Sequence, residues 1–303
     1  MNLSSSSQDT KFILYAQHGW ADTSREIGRL AKTLAGDRAL IVTPNLGWWQ
    51  TWWRIEPLIA KVEAIASTTK REYPDLPWRI IGHSMGGLIW LELLHRHPEW
   101  CECVESLVLI ASPIGGADLA RIIDPGFWGF SIARDLGQNR RILANSIAQK
   151  IPTLAIAGDI DNGSDGTIPV SSTEIEQAHW VKLSGLSHPQ LKNTPELLPI
   201  IQQFWDNPVI LPNRDFSPTQ KAIRYLQTVP GMTDTHPRHF WRSRIVVTLA
   251  DGGTIRLWYN PLRVLHVFVS DALENCLYCG FVGWQQTQKL EMAIAQYWNN
   301  NYS

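Results

Sequence analysis

The segment Trp78-Arg79-Ile80-Ile81-Gly82-His83-Ser84-Met85-Gly86-Gly87-Leu88-Ile89-Trp90 decides how this chain is read. It opens as a short apolar run, turns sharply through residues 82–86, and continues with helical spacing from Met85 to about His97. Strand, tight turn with a central serine, then helix is the context in which Gly-x-Ser-x-Gly becomes a nucleophile elbow. The glycines have a physical purpose. A serine held in a strained turn needs neighbours without side chains, because the flanking backbone must approach closely. The turn lifts the hydroxyl clear of the sheet, and the helix N-terminus beneath it favours developing negative charge. Serine and glycine are common, so the motif gains force only from the rest of the chain.

Outward from the elbow, apolar runs alternate with helical patterns. Runs at 11–17, 39–43, 105–111, 152–157 and 178–183 read as strands. Helices are expected at 22–35, 51–72 (with Pro57 breaking or kinking its early part) and 195–205. Continuous apolar strands separated by helices imply an α/β fold, a mostly parallel doubly wound sheet of about six strands covered on both faces. Residues 113–150 interrupt the alternation and read either as a cap or lid over the strand ends or as a plain connection with a helix near 140–150. Residues 1–10 are polar and read as a disordered tail, 11–205 as the main domain. Beyond a linker at 206–215 the pattern changes. A helix at 217–229, strands at 243–250, 254–259, 262–270 and 277–283, and a closing helix at 284–299 form a small α+β module spanning 206–303. Asp251-Gly252-Gly253 marks a hairpin within it.

A serine hydroxyl attacks well only when a base removes its proton, and the base works best when a carboxylate orients it. In a doubly wound sheet these partners lie on later loops, in the order Ser, Asp or Glu, His. After the fifth run comes a loop with Asp159, Asp161 and Asp165; the sequence Asp165-Gly166-Thr167-Ile168-Pro169 favours Asp165, with Asp159 or Asp161 left as loop-capping groups or as its replacement. After the sixth run comes Gly185-Leu186-Ser187-His188, placing His188 where the base belongs. An oxyanion needs convergent N–H donors. The amide of Met85 is one, and His18-Gly19-Trp20 after the first run offers the Trp20 amide as the other, with Gly19 expected to permit an unusual turn.

Taken together in this order, His18-Gly19-Trp20, Gly82–Gly87, Asp165–Pro169 and Gly185–His188 resemble the α/β-hydrolase superfamily, of the lipase and esterase type, over about residues 11–205. The resemblance implies catalysis by Ser84, Asp165 and His188, an acyl-serine intermediate and no cofactor. The chain begins at the strand carrying the oxyanion loop, so the two leading strands of larger members are not expected. The C-terminal module has no counterpart in the resemblance. Thioesterases, amidases and acyltransferases share such a fold, and a catalytically idle binding protein is the other class to be separated.

The remaining composition narrows partners. A formal net charge of -1, without long runs of one sign, argues against a nucleic-acid partner. The polar N-terminus does not read as a secretory signal, and no apolar run approaches the roughly 18 residues of a membrane span, so a cytoplasmic location is expected. Cys101, Cys103, Cys276 and Cys279 fall as two pairs in different predicted units without further ligands; reduced thiols are expected and no metal. Trp48, Trp49, Trp52 and Trp53, with Phe127, Trp128 and Phe130 in the possible cap, suit either packing or an acyl-chain groove. Trp48, Trp49, Phe127 and Trp128 are accordingly the candidate substrate contacts, for a small-molecule or lipid ester and a peripheral lipid surface.

Overall fold

The computed structural model describes residues 10–116 and 132–302. Six strands form one all-parallel sheet: β1 (Phe12–Gln17), β2 (Ala39–Val42), β3 (Trp78–His83), β4 (Val104–Ile110), β5 (Thr153–Asp159) and β6 (His179–Ser184), in the order β2-β1-β3-β4-β5-β6. β1 and β5 are buried at every position, as continuous apolar runs in a covered sheet should be. β6, at the edge, alternates between half-buried and exposed positions.

The helices are α1 (Ser24–Ala35), α2 (Glu56–Glu72), α3 (Met85–Arg96), α4 (Ile132–Leu136), α5 (Arg141–Ala148) and α6 (Leu197–Asp206). Strand side chains alternate between the two faces. Ile13, Tyr15 and Ile80 pack with α2, α3 and α5 on one side, whereas Leu14, Ala16 and Ile81 pack with α1 and α6 on the other. The expected helix at 51–72 begins later. Gln50–Trp52 is a 3-10 turn, and α2 starts at Glu56 with Pro57 in its first turn, where a missing N–H costs no bond.

No strand or helix spans residues 207–217. Then α7 (Pro218–Gln227) opens on a capping box in which Ser217 and Gln220 satisfy each other's backbone amides. A second, antiparallel sheet follows, β7 (Thr233–Asp234), β8 (Arg244–Thr248), β9 (Thr254–Tyr259), β10 (Leu265–Ser270) and β11 (Cys276–Val282), in the order β7-β11-β10-β9-β8, and α8 (Thr287–Tyr302) closes it. The hairpin at Asp251-Gly252-Gly253 forms with Gly252 at φ +82°. β10 begins at Leu265 rather than 262, since Leu262 lies in a turn closed by Asn260, and Trp284–Gln286 is a 3-10 turn ahead of α8. Two-residue β7 carries no periodicity and escaped the sequence reading.

β7 joins the module to the main sheet. Asp234 lies fully buried against Arg141 of α5, with guanidinium–carboxylate contacts of 3.0 and 2.5 Å. Arg141 also donates to the carbonyl of Ser171, whose hydroxyl donates to Asp234. Burial works against the charge on Arg141, but the Asp234 carboxylate holds its pKa above the ordinary value. The four cysteines are free thiols. Among the described residues no helix is long and apolar enough to cross a membrane. Of the expected cap, α4 and α5 are described; Phe127, Trp128 and Phe130 lie outside the described residues.

Candidate active site

Four strand ends bring the predicted residues to one edge of the sheet. Ser84 sits between β3 and α3 at φ 55° and ψ −125°, a strained conformation for a residue with a side chain. Its amide donates to the Ile110 carbonyl at 2.8 Å, which ties the elbow to β4. The glycines are there for room. A Cβ on Gly82 would lie 2.5 Å from the backbone of Gly87, and one on Gly86 would lie 2.3 Å from the Gln17 carbonyl oxygen.

His188 meets both partners: its Nε2 is 3.0 Å from Ser84 Oγ and its Nδ1 is 2.6 Å from Asp165 Oδ2. The amides of Thr167 and Ile168 donate to Asp165 Oδ1 at 2.9 and 2.7 Å, and the His188 amide donates to the Asp165 carbonyl at 2.8 Å. The carboxylate is thereby locked in rotation, with its second oxygen on the imidazole. Asp159 and Asp161 are occupied elsewhere. Asp159 accepts from the Gly163 amide and from Lys182, and Asp161 accepts from Ser164 and faces His236 at 3.1 Å.

The Met85 side of Ser84 is equally ordered. Met85 is the first residue of α3, so its N–H has no intrahelical acceptor. The His18-Gly19-Trp20 turn passes directly over it; a Cβ on Gly19 would lie 2.8 Å from Ser84 Cβ and 3.2 Å from the Met85 nitrogen. Close approach therefore explains Gly19, and the left-handed residue of this loop is Ala21, at φ 50°. His18 fixes the turn: its Nε2 accepts from the Leu46 amide at 3.0 Å, which leaves Nδ1–H to donate to the Gly19 carbonyl at 3.0 Å. The Ala21 amide donates to Thr51.

Trp48 and Trp49 stand at the rim, 38% and 75% exposed, in edge-on contact with each other. Trp48 in turn touches Trp52, and Trp52 touches Trp20 at 4.5 Å between ring centroids, so a row of indoles leads from solvent to the His18-Gly19-Trp20 turn. One residue to which the sequence assigns no role belongs here. His83 is buried, its ring 4.8 Å from that of His188, and its Nε2 is 3.2 Å from the His188 carbonyl. Burial, then the neighbouring His188, pushes its pKa well below 6.5. A neutral His83 donating Nε2–H holds the loop that carries the base. Because the folded-state value is depressed, stability tied to His83 is complete well above pH 6.5 and declines as pH falls through the unfolded-state value. Chemical denaturation of His83→Gln between pH 8 and pH 5 is expected to show a shallower decline than the parent protein.

The model for the family described as "Serine aminopeptidase, S33" matches residues 8–149. Among solved structures, the propeptide form of Bacillus licheniformis lipase BlEst2 is 14% identical, with 69% of this chain and 52% of that chain covered and a TM-score of 0.52. Est1E from Butyrivibrio proteoclasticus, with ferulic acid bound, is 13% identical, with 67% and 91% covered and a TM-score of 0.50. The chain has the α/β-hydrolase fold. No match is found among curated protein sequences. Such identities speak to the fold alone, and what the site does must be argued from its own groups.

Proposed function

We propose that this α/β-hydrolase is a serine hydrolase that cleaves carboxylic esters through an acyl-serine intermediate. The observation carrying this reading is the unbroken relay from Ser84 Oγ through His188 to Asp165, with hydrogen-bond distances of 3.0 and 2.6 Å. His188 Nε2 takes the Ser84 proton as Oγ attacks the acyl carbon. Asp165 holds the imidazole in the Nδ1–H tautomer and stabilises the imidazolium that forms. The amides of Met85 and Trp20 receive the oxyanion. His188 then protonates the departing alcohol, and water repeats the sequence on the acyl-enzyme.

Labelling by a fluorophosphonate probe tests this directly. Labelling abolished in Ser84→Ala and followed by turnover of nitrophenyl esters supports the reading; an unlabelled native protein supports an idle binding protein instead. Thioesters and anilides in the same panel separate the other acyl-transfer chemistries. Asp165→Asn leaves the carboxamide amid the same backbone donors but removes the acceptor that selects the tautomer, and kcat is expected to fall by about 10⁴-fold.

The indole row supports an apolar acyl group or a lipid ester as substrate. Trp49 and Trp53 are 75% and 73% exposed, more than packing requires, and suit contact with a lipid surface. Replacing Trp48 and Trp49 together by serine is expected to raise KM for an octanoyl ester several-fold and leave that for the acetyl ester nearly unchanged. Equal changes for both esters would assign the row to loop packing.

A further inference from the structure

A second cavity, of about 170 Å³, lies between the Asp165 loop and the C-terminal module, and neither Ser84 nor His188 lines it. Aromatic residues line it: His239 lies 4.6 Å from Trp258, Trp258 lies 5.1 Å from His266, and His266 stacks on Phe268. Its polar side is made of donors. Arg238, Thr167 and Thr235 line it, and neither the guanidinium nor either hydroxyl is bonded to a described residue. Among the described residues no carboxylate lines it. The nearby Asp161 is already held by Ser164 and faces His236, whose Nδ1 accepts from the Arg238 amide and whose proton therefore sits on Nε2. Among the described residues, no three ligand-type side chains are grouped to hold a metal ion, so the histidines do not form a metal centre.

We propose that this cavity is a binding site for a small aromatic carboxylate, separate from the catalytic serine. Each part of the ligand follows from a part of the wall. A guanidinium without a partner among the described residues, beside hydroxyl donors and away from their unpaired carboxylates, selects an anion and disfavours a cation. Flat imidazole, indole and phenyl surfaces select a planar ring, which stacks at little conformational cost. The volume is about half the lower end of the roughly 300–1,000 Å³ range of drug-sized sites, which limits the ligand to one ring with its acid group. The site is also positioned to be felt at Asp165, because Gly166 and Thr167 form part of its wall.

The test uses full-length protein and 4-fluorobenzoate, followed by fluorine NMR and calorimetry. Saturable binding at one site is expected, unchanged in Ser84→Ala and in native protein blocked with a fluorophosphonate. Arg238→Gln is expected to weaken it about ten- to hundredfold. Trp258→Leu is expected to weaken it as well. Arg238 is exposed, so its replacement leaves the fold intact, and it decides alone if the Trp258 variant fails to fold. 4-Fluorobenzamide and inorganic phosphate should each bind much more weakly, one lacking the charge and the other the ring. Absence of saturable binding, equal binding by Arg238→Gln, equal binding of phosphate, or loss of the site on blocking Ser84 would each overturn the assignment. None of these results bears on whether Ser84 itself is labelled, so this site and the hydrolase reading stand or fall separately.

Discussion

Ser84→Ala is expected to lower kcat for a nitrophenyl ester by about 10⁵- to 10⁶-fold without unfolding the protein. The relay acts as a unit: without Oγ there is no acyl-enzyme, and His188 and Asp165 have nothing to activate. What survives is the direct attack of water on a carbonyl held by the Met85 and Trp20 amides, which is faster than the uncatalysed reaction but far below covalent turnover. Stability should move the other way with a second substitution. At φ 55° and ψ −125°, any side chain at position 84 is strained, and alanine keeps the strain. Glycine removes it, so Ser84→Gly is expected to be about 1 kcal/mol more stable than Ser84→Ala, measured by chemical denaturation, while equally inactive. Ester turnover within about 100-fold of the native rate in either variant would remove Ser84 from the mechanism.

Why these residues could be read in advance, and others not, has a physical basis. Ser84 and His188 announce themselves through local constraints. The elbow demands glycine wherever a Cβ would strike backbone, as at Gly82 and Gly86, and those glycines are visible as a short pattern. His188 follows the last strand of a parallel sheet, and that sheet is legible from the alternation of apolar runs and helices. Asp165 was harder, because three aspartates share one loop. The choice is made by the amides of Thr167 and Ile168, which turn back onto its carboxylate, and that turn is only hinted at by Gly166. The part His83 plays was not legible for a different reason. Its neighbour in space, the His188 carbonyl, lies 105 residues away, and no local pattern reports such a contact. β7 and the charged contact it makes were illegible on the same ground: two residues have no period, and the pairing of Arg141 with Asp234 spans 93 positions.

That pairing is where the largest loss of stability is expected. Asp234→Ala leaves the Arg141 guanidinium buried beside the carbonyl of Ser171 with its hydrogen-bonded counter-charge gone and only the weaker attraction of Glu174 remaining. Breaking a buried ion pair from one side typically costs about 3–5 kcal/mol, because the remaining charge is desolvated and unpaired. At roughly 2 °C per kcal/mol for a chain of this size, the melting temperature should fall by about 6–10 °C. The damage should also reach the site. The Asp234 carboxylate accepts from Ser171, so this side chain braces the end of the acid loop, whereas its backbone amide, which the alanine variant keeps, donates to the Gly115 carbonyl. Arg141→Ala orphans the acid instead and should cost a similar amount. Removing both charges together, as Arg141→Leu with Asp234→Leu, should cost clearly less than the two single losses added, since no charge is left buried. If the single and double variants prove additive in calorimetry, the pair contributes only independent packing, and the C-terminal module is not held to the catalytic sheet by this contact.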